Sequence, residues 1–543
     1  MDTEAKLLFQ YKQIVLKMIT VMVIVCGLPA CMQSAEEPII VYVTATPHEL
    51  TNSIVISNTL VPTIQLSSVP QIIDTIPTLN PSRFDTLTTL PQQHVVQSGD
   101  TLIGIANQYG ISLNTLLENN ELIDPNILSV GQSINLPDLP QQYTPDFKII
   151  PDSRMVRAPG SRNFDIEAFI AQQPGYIRIA TDEVASNTAL GESRIDVLSA
   201  SQIIEQVSLE YSVDPRLLIA ILEYRAGWLS NLDISDDLIT HPILPVEETP
   251  GIDRSGLYRQ LSWTANILNF GYYGWKTRGW ITLEIGDGTR YLLADGLNAG
   301  TVSLQYLFSN YLNANSQQWQ FDISPDGFYR AYFAYFGNPF DNATEPLVPS
   351  NLQQPELTLP FSQGQTWFYT GGAHGGWGGG SAWSAIDFAP PDENDTLCFI
   401  SNYWARALTS GLIVRSDNGA VVLDLDGDGD ESTGWTILYL HLAESGRVQV
   451  GTQVSTGDEI GRASCEGGFS TATHLHIARR YNGEWIPVDC QNCGNSDFRP
   501  PFIMSSWRVI SIQNQEYQGF LENNGERRTA EQGRLTPINR ISW

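Results

Sequence analysis

Apolar residues recur along this chain at two spacings, and the change from one to the other marks where the structure changes. Leu102, Ile105, Ala106 and Tyr109 stand at helical intervals, as do Ile203, Ile204, Val207 and Tyr211, and then Leu217, Leu218, Ile221 and Leu222. Two of these stripes carry start signals: Ser199-Ala200-Ser201-Gln202 fits a capping box, and Asp214-Pro215 supplies an N-cap with proline at the first helical position. Past Pro360 the pattern shortens to β-branched apolar runs between turn residues, such as Gly411–Val414, Ala420–Leu423 and Trp435–Leu440, which predict strands. From Gln33 to Gln93 neither spacing holds, because Thr46-Pro47, Val61-Pro62, Val69-Pro70, Ile76-Pro77 and Asn80-Pro81 interrupt both helix and ladder. A flexible coil of that length spans about 45 Å.

These patterns divide the 543 residues into a multidomain α+β chain: an export signal at 1–31, a Thr/Ser/Pro-rich linker at 32–93, a small module at 94–138, a mainly helical region at 152–345, and an antiparallel β-rich region at 357–543. Lys6, Lys12 and Lys17 precede a short apolar core, Met18 to Leu28, too short for a spanning helix. The following Leu28-Pro29-Ala30-Cys31 resembles a bacterial lipobox, which implies lipidation of Cys31, an anchor in the bacterial membrane and an extracytoplasmic domain facing the cell wall. With 59 Asp+Glu against 30 Lys+Arg and no basic patch, nucleic acid is excluded as a partner.

In the 94–138 module, Val95-Val96-Gln97 reads as a strand, two short helices follow, and Ile134-Asn135-Leu136-Pro137 closes with a strand. With His94-Val95-Val96, Gly99-Asp100-Thr101-Leu102, Asn119-Asn120 and Val130-Gly131-Gln132, this βααβ pattern resembles the LysM domain. The resemblance implies binding of peptidoglycan glycan in a groove beside Gly99, Asp100, Thr101 and Leu102. In the helical region, the stretch from Val213 to Trp228 resembles the opening helix of lysozyme-like lytic transglycosylases. Those enzymes place a general-acid glutamate where this chain has Arg225, and a guanidinium does not give up a proton at neutral pH. Glu223 lies about 200° around the helix from it. The expectation is a non-catalytic lysozyme-like scaffold, in which Trp263, Tyr272, Tyr273, Trp275 and Trp280 either offer faces to sugars or fill a core.

The chemistry concentrates late in the chain. Of seven histidines, four fall between His374 and His476. Four pieces stand out: Gly371-Gly372-Ala373-His374-Gly375-Gly376, Ala385-Ile386-Asp387-Phe388-Ala389, Leu438-Tyr439-Leu440-His441-Leu442, and Thr473-His474-Leu475-His476. His474 and His476 share one face of an extended segment. Two histidines and an aspartate suit a catalytic zinc that keeps a fourth position for water, and two further histidines suit proton transfer. The set resembles the lysostaphin, LytM and β-lytic type zinc metalloendopeptidases, which cleave peptidoglycan peptides. That resemblance implies a Zn2+ held by His374, Asp387 and His476, with His474 and His441 as general base and stabiliser of the tetrahedral intermediate. The LytM branch would carry its first ligand at Trp383; the Gly-Gly-x-His form with its longer gap, as in His374 to Asp387, is the β-lytic pattern.

Two side features complete the reading. Asp424, Asp426 and Asp428 open a D-x-D-x-D-G run that is either a Ca2+ loop or an Asp/Gly hairpin turn, with Trp435 at the twelfth position where an EF-hand has glutamate. Cys398, Cys465, Cys490 and Cys493 lie in an exported domain and predict disulfides, with Cys398–Cys465 and Cys490–Cys493 the preferred pairing. The resulting expectation is a membrane-anchored, LysM-targeted zinc endopeptidase of peptidoglycan. Its rivals are a non-catalytic wall-binding lipoprotein that activates other hydrolases, and a muramidase acting through the helical region.

Overall fold

The computed structural model describes residues 91–97, 100–122, 124, 127–245, 252–311, 314–392, 394–490, 499–534 and 537–543. The signal segment with Cys31, nearly all of the linker, Gly99 and Cys493 lie outside the described residues. No helix among the described residues is long and apolar enough to cross a membrane.

The first module runs strand Gln93–Val95, helices Leu102–Tyr109 and Leu113–Glu118, and strand Ser133–Asn135, the two strands pairing antiparallel. Thr101 caps the first helix by accepting from Gly104 N–H, and Gly110 closes it in the left-handed region. Leu102, Ile105, Leu116 and Ile134 form its core.

The helical region is built on Ala200–Tyr211, Pro215–Ala226, Leu257–Lys276, Ala299–Ser309 and Phe328–Phe336. The Ser199/Gln202 capping box and the Asp214 cap are both present. The region is less uniformly helical than its sequence pattern predicts. It also holds a hairpin, Thr181–Asn187 with Ser193–Ser199, and a shorter pair, Thr282–Glu284 with Arg290–Leu292. In Ser193–Ser199, Ile195 and Val197 alternate with polar residues, but both side chains are exposed and the strand has no buried position.

The C-terminal region folds around a nine-stranded antiparallel sheet. Its main path runs Gln453–Val454, Gly411–Asp417, Ala420–Asp424, Trp435–Leu440, Leu475–Tyr481, Ala385–Ala389, Thr366–His374 and Arg540–Ser542. Alternation along the central strands divides two cores. Val421, Leu423, Ile437, Tyr439 and Ile477 face the peptidase-side core, whereas Val422, Leu438, Leu440 and Ala478 join the core of the helical region. The helical region therefore packs directly on one face of the sheet. A buried ion pair crosses the same boundary: Lys276 Nζ lies 2.9 Å from Glu484, with Asp152 on the helical side 2.9 Å from Lys276 and Arg499 on the sheet side 2.6 Å from Glu484.

Candidate active site

Strand register brings the site together. His476 stands opposite Asp387 and also opposite Leu440, which precedes His441. On the other side of the Ala385–Ala389 strand, Gly371 is the partner of Asp387 and His374 that of Ala385, with irregularities in the register between them. The Gly375–Ser381 loop that follows His374 is held from the long helix of the helical region. Asn266 Oδ1 accepts from Gly380 N–H at 2.8 Å, and Arg278 donates to the carbonyls of Gly379 at 3.2 Å and Ser381 at 3.0 Å. Close approach dictates glycine here: a Cβ at Gly380 would sit 2.1 Å from the Asn266 carbonyl oxygen, and one at Gly376 would sit 2.3 Å from Ser384 Oγ.

Three side-chain atoms converge. His374 Nε2 is 2.9 Å from His476 Nδ1, and each lies 3.3 Å from Asp387 Oδ1. Main-chain carbonyls fix the tautomers, because a carbonyl only accepts. His374 Nδ1–H donates to Gly372 O at 2.7 Å, and His476 Nε2–H donates to Gly376 O at 3.1 Å. The nitrogens left facing each other therefore carry lone pairs, and between them lies a buried carboxylate oxygen with no hydrogen-bond partner of its own. Such a cluster holds together only around a positive charge, either a proton on His374 or a metal ion. Tetrahedral zinc with bonds of about 2.0–2.1 Å has ligand atoms about 3.3 Å apart. The two separations from Asp387 Oδ1 match that spacing at 3.3 Å, and the 2.9 Å between the imidazole nitrogens is shorter.

The electrostatics agree with a cation-seeking site. Burial works against a charge on Asp387, yet His374, His474 and His476 hold its carboxyl well below the usual range. Burial also opposes a charge on His374, and the Asp387 carboxylate outweighs it, leaving that imidazole above its ordinary value. Burial lowers His476.

Beside this triad stand His441 and His474, with ring centroids 4.4 Å apart. His474 Nδ1–H donates to Ala472 O at 2.8 Å, which leaves Nε2 open 3.8 Å from Asp387 Oδ1. His441 Nδ1–H donates to Glu466 O at 3.0 Å. Burial first, then His474 and His476, push His441 well below the ordinary histidine range. Its Nε2 is thus an acceptor in the resting site and becomes a donor only once a proton reaches it. His441 also sits in the left-handed region at φ 67°, a strain of about 1–3 kcal/mol that the fold must hold in place.

Sequence reasoning missed several participants. The Tyr517 ring stacks on His374 with centroids 4.3 Å apart, and Glu516 Oε1 accepts from Gly375 N–H at 3.1 Å. The four orienting carbonyls carry no sequence signature, since every residue has one.

The other expected site residues fall as follows. Leu102 is buried in its module's core, and the Asp100 carboxylate accepts from Gln97 N–H and meets His94 Nε2, both at 2.7 Å; Thr101 is exposed. Trp263, Tyr272, Tyr273 and Trp280 are buried and fill the core rather than offering faces to sugars. Glu223 is buried too, accepting from Leu229 N–H at 2.8 Å and Tyr335 OH at 3.0 Å, while the Arg225 guanidinium lies over the Tyr311 ring. Asp424, Asp426 and Asp428 each offer a carboxylate oxygen to one cluster, and turn amides already bond them: Asp424 accepts from Gly429 N–H at 3.0 Å and Asp428 from Asp430 N–H at 2.8 Å. Cys398 and Cys465 form a disulfide, and Cys490 is disulfide-bonded as well.

Comparison with known proteins gives three matches along the chain. Residues 94–137 match the family model of the LysM domain, 148–349 that of the LasA N-terminal domain, and 402–488 that of peptidase family M23. Protease LasA of Pseudomonas aeruginosa is 26% identical over 353 residues, spanning 61% of this chain and 73% of that protein. Among solved structures, the M23 metalloprotease pseudoalterin from the deep sea is 24% identical and covers 33% of this chain and 96% of its own, at a TM-score of 0.25. The catalytic domain of lysostaphin from Staphylococcus simulans is 28% identical and covers 22% of this chain and 86% of its own, at a TM-score of 0.16. Scores that low carry no argument. The family matches do: this chain combines a LysM domain, a LasA N-terminal domain and a peptidase M23 domain, and is a homologue of LasA.

Proposed function

We propose that this protein is a zinc metalloendopeptidase that hydrolyses peptide bonds of bacterial peptidoglycan, delivered to the wall by its LysM module and held at the membrane through Cys31. The observation that carries the reading is the convergence of His374 Nε2, Asp387 Oδ1 and His476 Nδ1, each oriented so that an electron pair faces the same point. Those three atoms would hold the ion. When bound, zinc supplies Lewis acidity toward the scissile carbonyl and lowers the pKa of water toward about 7.

The chain's own groups do the rest. His474, the more exposed of the two free imidazoles, presents Nε2 to take the proton of the attacking water. His441 stands beside it, with ring centroids 4.4 Å apart. Negative charge developing on the substrate oxygen favours uptake of a solvent proton at His441 Nε2. That proton is hydrogen-bonded to the oxygen and passes to the leaving amine, while His474 returns the water's proton to solvent. The LysM match and the LasA relationship support a wall substrate, and the M23 match supports hydrolysis of a peptide bond. Product analysis on purified peptidoglycan, with and without a chelator, tests the reading. New free amino groups that disappear with the chelator are expected. Glycan-strand fragments would replace it with a muramidase, and an absence of products with a binder.

A further inference from the structure

We propose that Arg447 and Glu466 are positioning residues for the His441 imidazole. The claim rests on the catalytic reading above, although the geometry behind it does not involve the metal ligands. His441 follows directly on the Trp435–Leu440 strand, at a positive φ that a histidine keeps only when its surroundings hold it. Its carbonyl oxygen accepts twice from Ser464, from N–H at 2.7 Å and from Oγ at 3.0 Å. Its ring is aimed by the Glu466 carbonyl.

Arg447 closes the arrangement. One guanidinium nitrogen donates both to Leu442 O, the carbonyl after His441, at 2.9 Å, and to Glu466 Oε1 at 2.7 Å. Glu466 Oε2 accepts from Glu444 N–H at 2.7 Å. The two side chains are largely withdrawn from solvent, 8% and 10% exposed, so screening of the pair is weak. A single ion pair thereby sets the distance between the His441 backbone and the carbonyl that orients its ring. The same corner reaches the second imidazole through the Cys465–Cys398 disulfide. Phe399, next to Cys398, donates its N–H to Thr473 Oγ1 at 2.8 Å and accepts from that hydroxyl at 2.6 Å, one residue before His474. Neither Arg447 nor Glu466 has its charged group hydrogen-bonded to an imidazole; both act through main-chain carbonyls.

The test compares Arg447→Met, Glu466→Gln, Arg447→Lys and the paired Arg447→Met/Glu466→Gln variant of the full chain with the parent, reading zinc content, thermal midpoint, kcat and KM on peptidoglycan fragments. Each single neutralisation strands a buried charge and lowers the midpoint, whereas the paired variant removes both charges and regains it. Positioning predicts that the paired variant binds zinc fully and keeps KM within about twofold, while kcat stays about 10- to 100-fold down. Arg447→Lys keeps most of kcat, because both contacts come from one nitrogen that an ammonium can replace. A paired variant whose kcat recovers along with its midpoint would show the ion pair to be structural only and overturn the proposal. If the parent binds zinc but hydrolyses nothing, the catalytic reading fails by itself, and the ring 15N shifts of His441 decide the positioning claim. Loss of the Nδ1-protonated form in the paired variant supports it, and retention of that form refutes it.

Discussion

A Cβ on Gly371 would stand 2.3 Å from Asp387 Oδ2, and the two residues are direct cross-strand partners. The absence of a side chain at position 371 is therefore what lets the carboxylate lie where both histidines meet it. Gly371→Ala must push the carboxylate or the strand aside. Overpacking of this kind costs about 1–3 kcal/mol and leaves the fold intact. A displaced ligand should lower metal affinity about 10- to 100-fold, which metal titration of the variant against the parent will show. A Gly371→Ala variant with parental zinc affinity would mean that Asp387 is not a ligand.

The two groups of histidines should separate experimentally. His476→Ala removes one of three converging atoms, so metal content and turnover should both vanish. His441→Ala leaves the triad untouched, so zinc should remain at about one equivalent while kcat falls about 10²- to 10⁴-fold. Metal analysis alongside rate measurement checks both. Loss of zinc in His441→Ala would move that residue into the ligand set.

How far the sequence foretold this site depends on where the information resides. Ligand chemistry is written in side chains, so His374, Asp387, His441, His474 and His476 could be picked out, and register brings them together. The caps at Ser199 and Asp214 were legible for the same reason. Orientation was not. Gly372, Gly376, Ala472 and Glu466 aim the four rings with main-chain oxygens. The packing of the helical region on the sheet was hidden differently. Ala420–Asp424 and Trp435–Leu440 are buried on both faces, so their sequences read as continuous apolar runs that do not reveal which core each residue joins.

Glu223 offers a test against muramidase chemistry. Its carboxylate accepts from two backbone N–H groups and from Tyr335, in a pocket closed to solvent. Glu223→Ala leaves those donors without their acceptor, a cost of about 1–3 kcal/mol. The thermal midpoint should fall while peptide-bond hydrolysis at permissive temperature stays within about twofold. Glycan-strand cleavage that disappears with this substitution would reinstate the helical region as a catalyst.

The last prediction concerns pH, and it follows from carboxylates shifted in opposite directions. Burial works against a charge on Glu484, but Lys276 and Arg499 hold it down to about 2; Arg415 and Arg480 do the same for Glu431, also to about 2. Burial and then Asp152 push Glu345 up to about 8, and burial pushes Glu210 up to about 7. The lowered pair stabilises the fold at pH values above the ordinary glutamate value of 4.5, and that contribution is lost as pH falls toward 2. The raised pair behaves inversely: its contribution is complete below 4.5 and is lost as pH rises through 7 to 8. Stability should therefore peak at about pH 5 and decline on both sides. Glu345→Gln should flatten the alkaline limb and leave the acid limb unchanged. Glu484→Gln should cost about 3–5 kcal/mol at neutral pH, because Arg499 and Lys276 lose the buried carboxylate they share, while Asp152 still stands 2.9 Å from Lys276. Lys276 belongs to the long helix and Glu484 to the sheet, which share one core, so that loss should appear in a single cooperative transition. Two separated transitions in the parent chain would show instead that the helical region and the sheet fold independently, and the Glu484→Gln effect would then be confined to one of them.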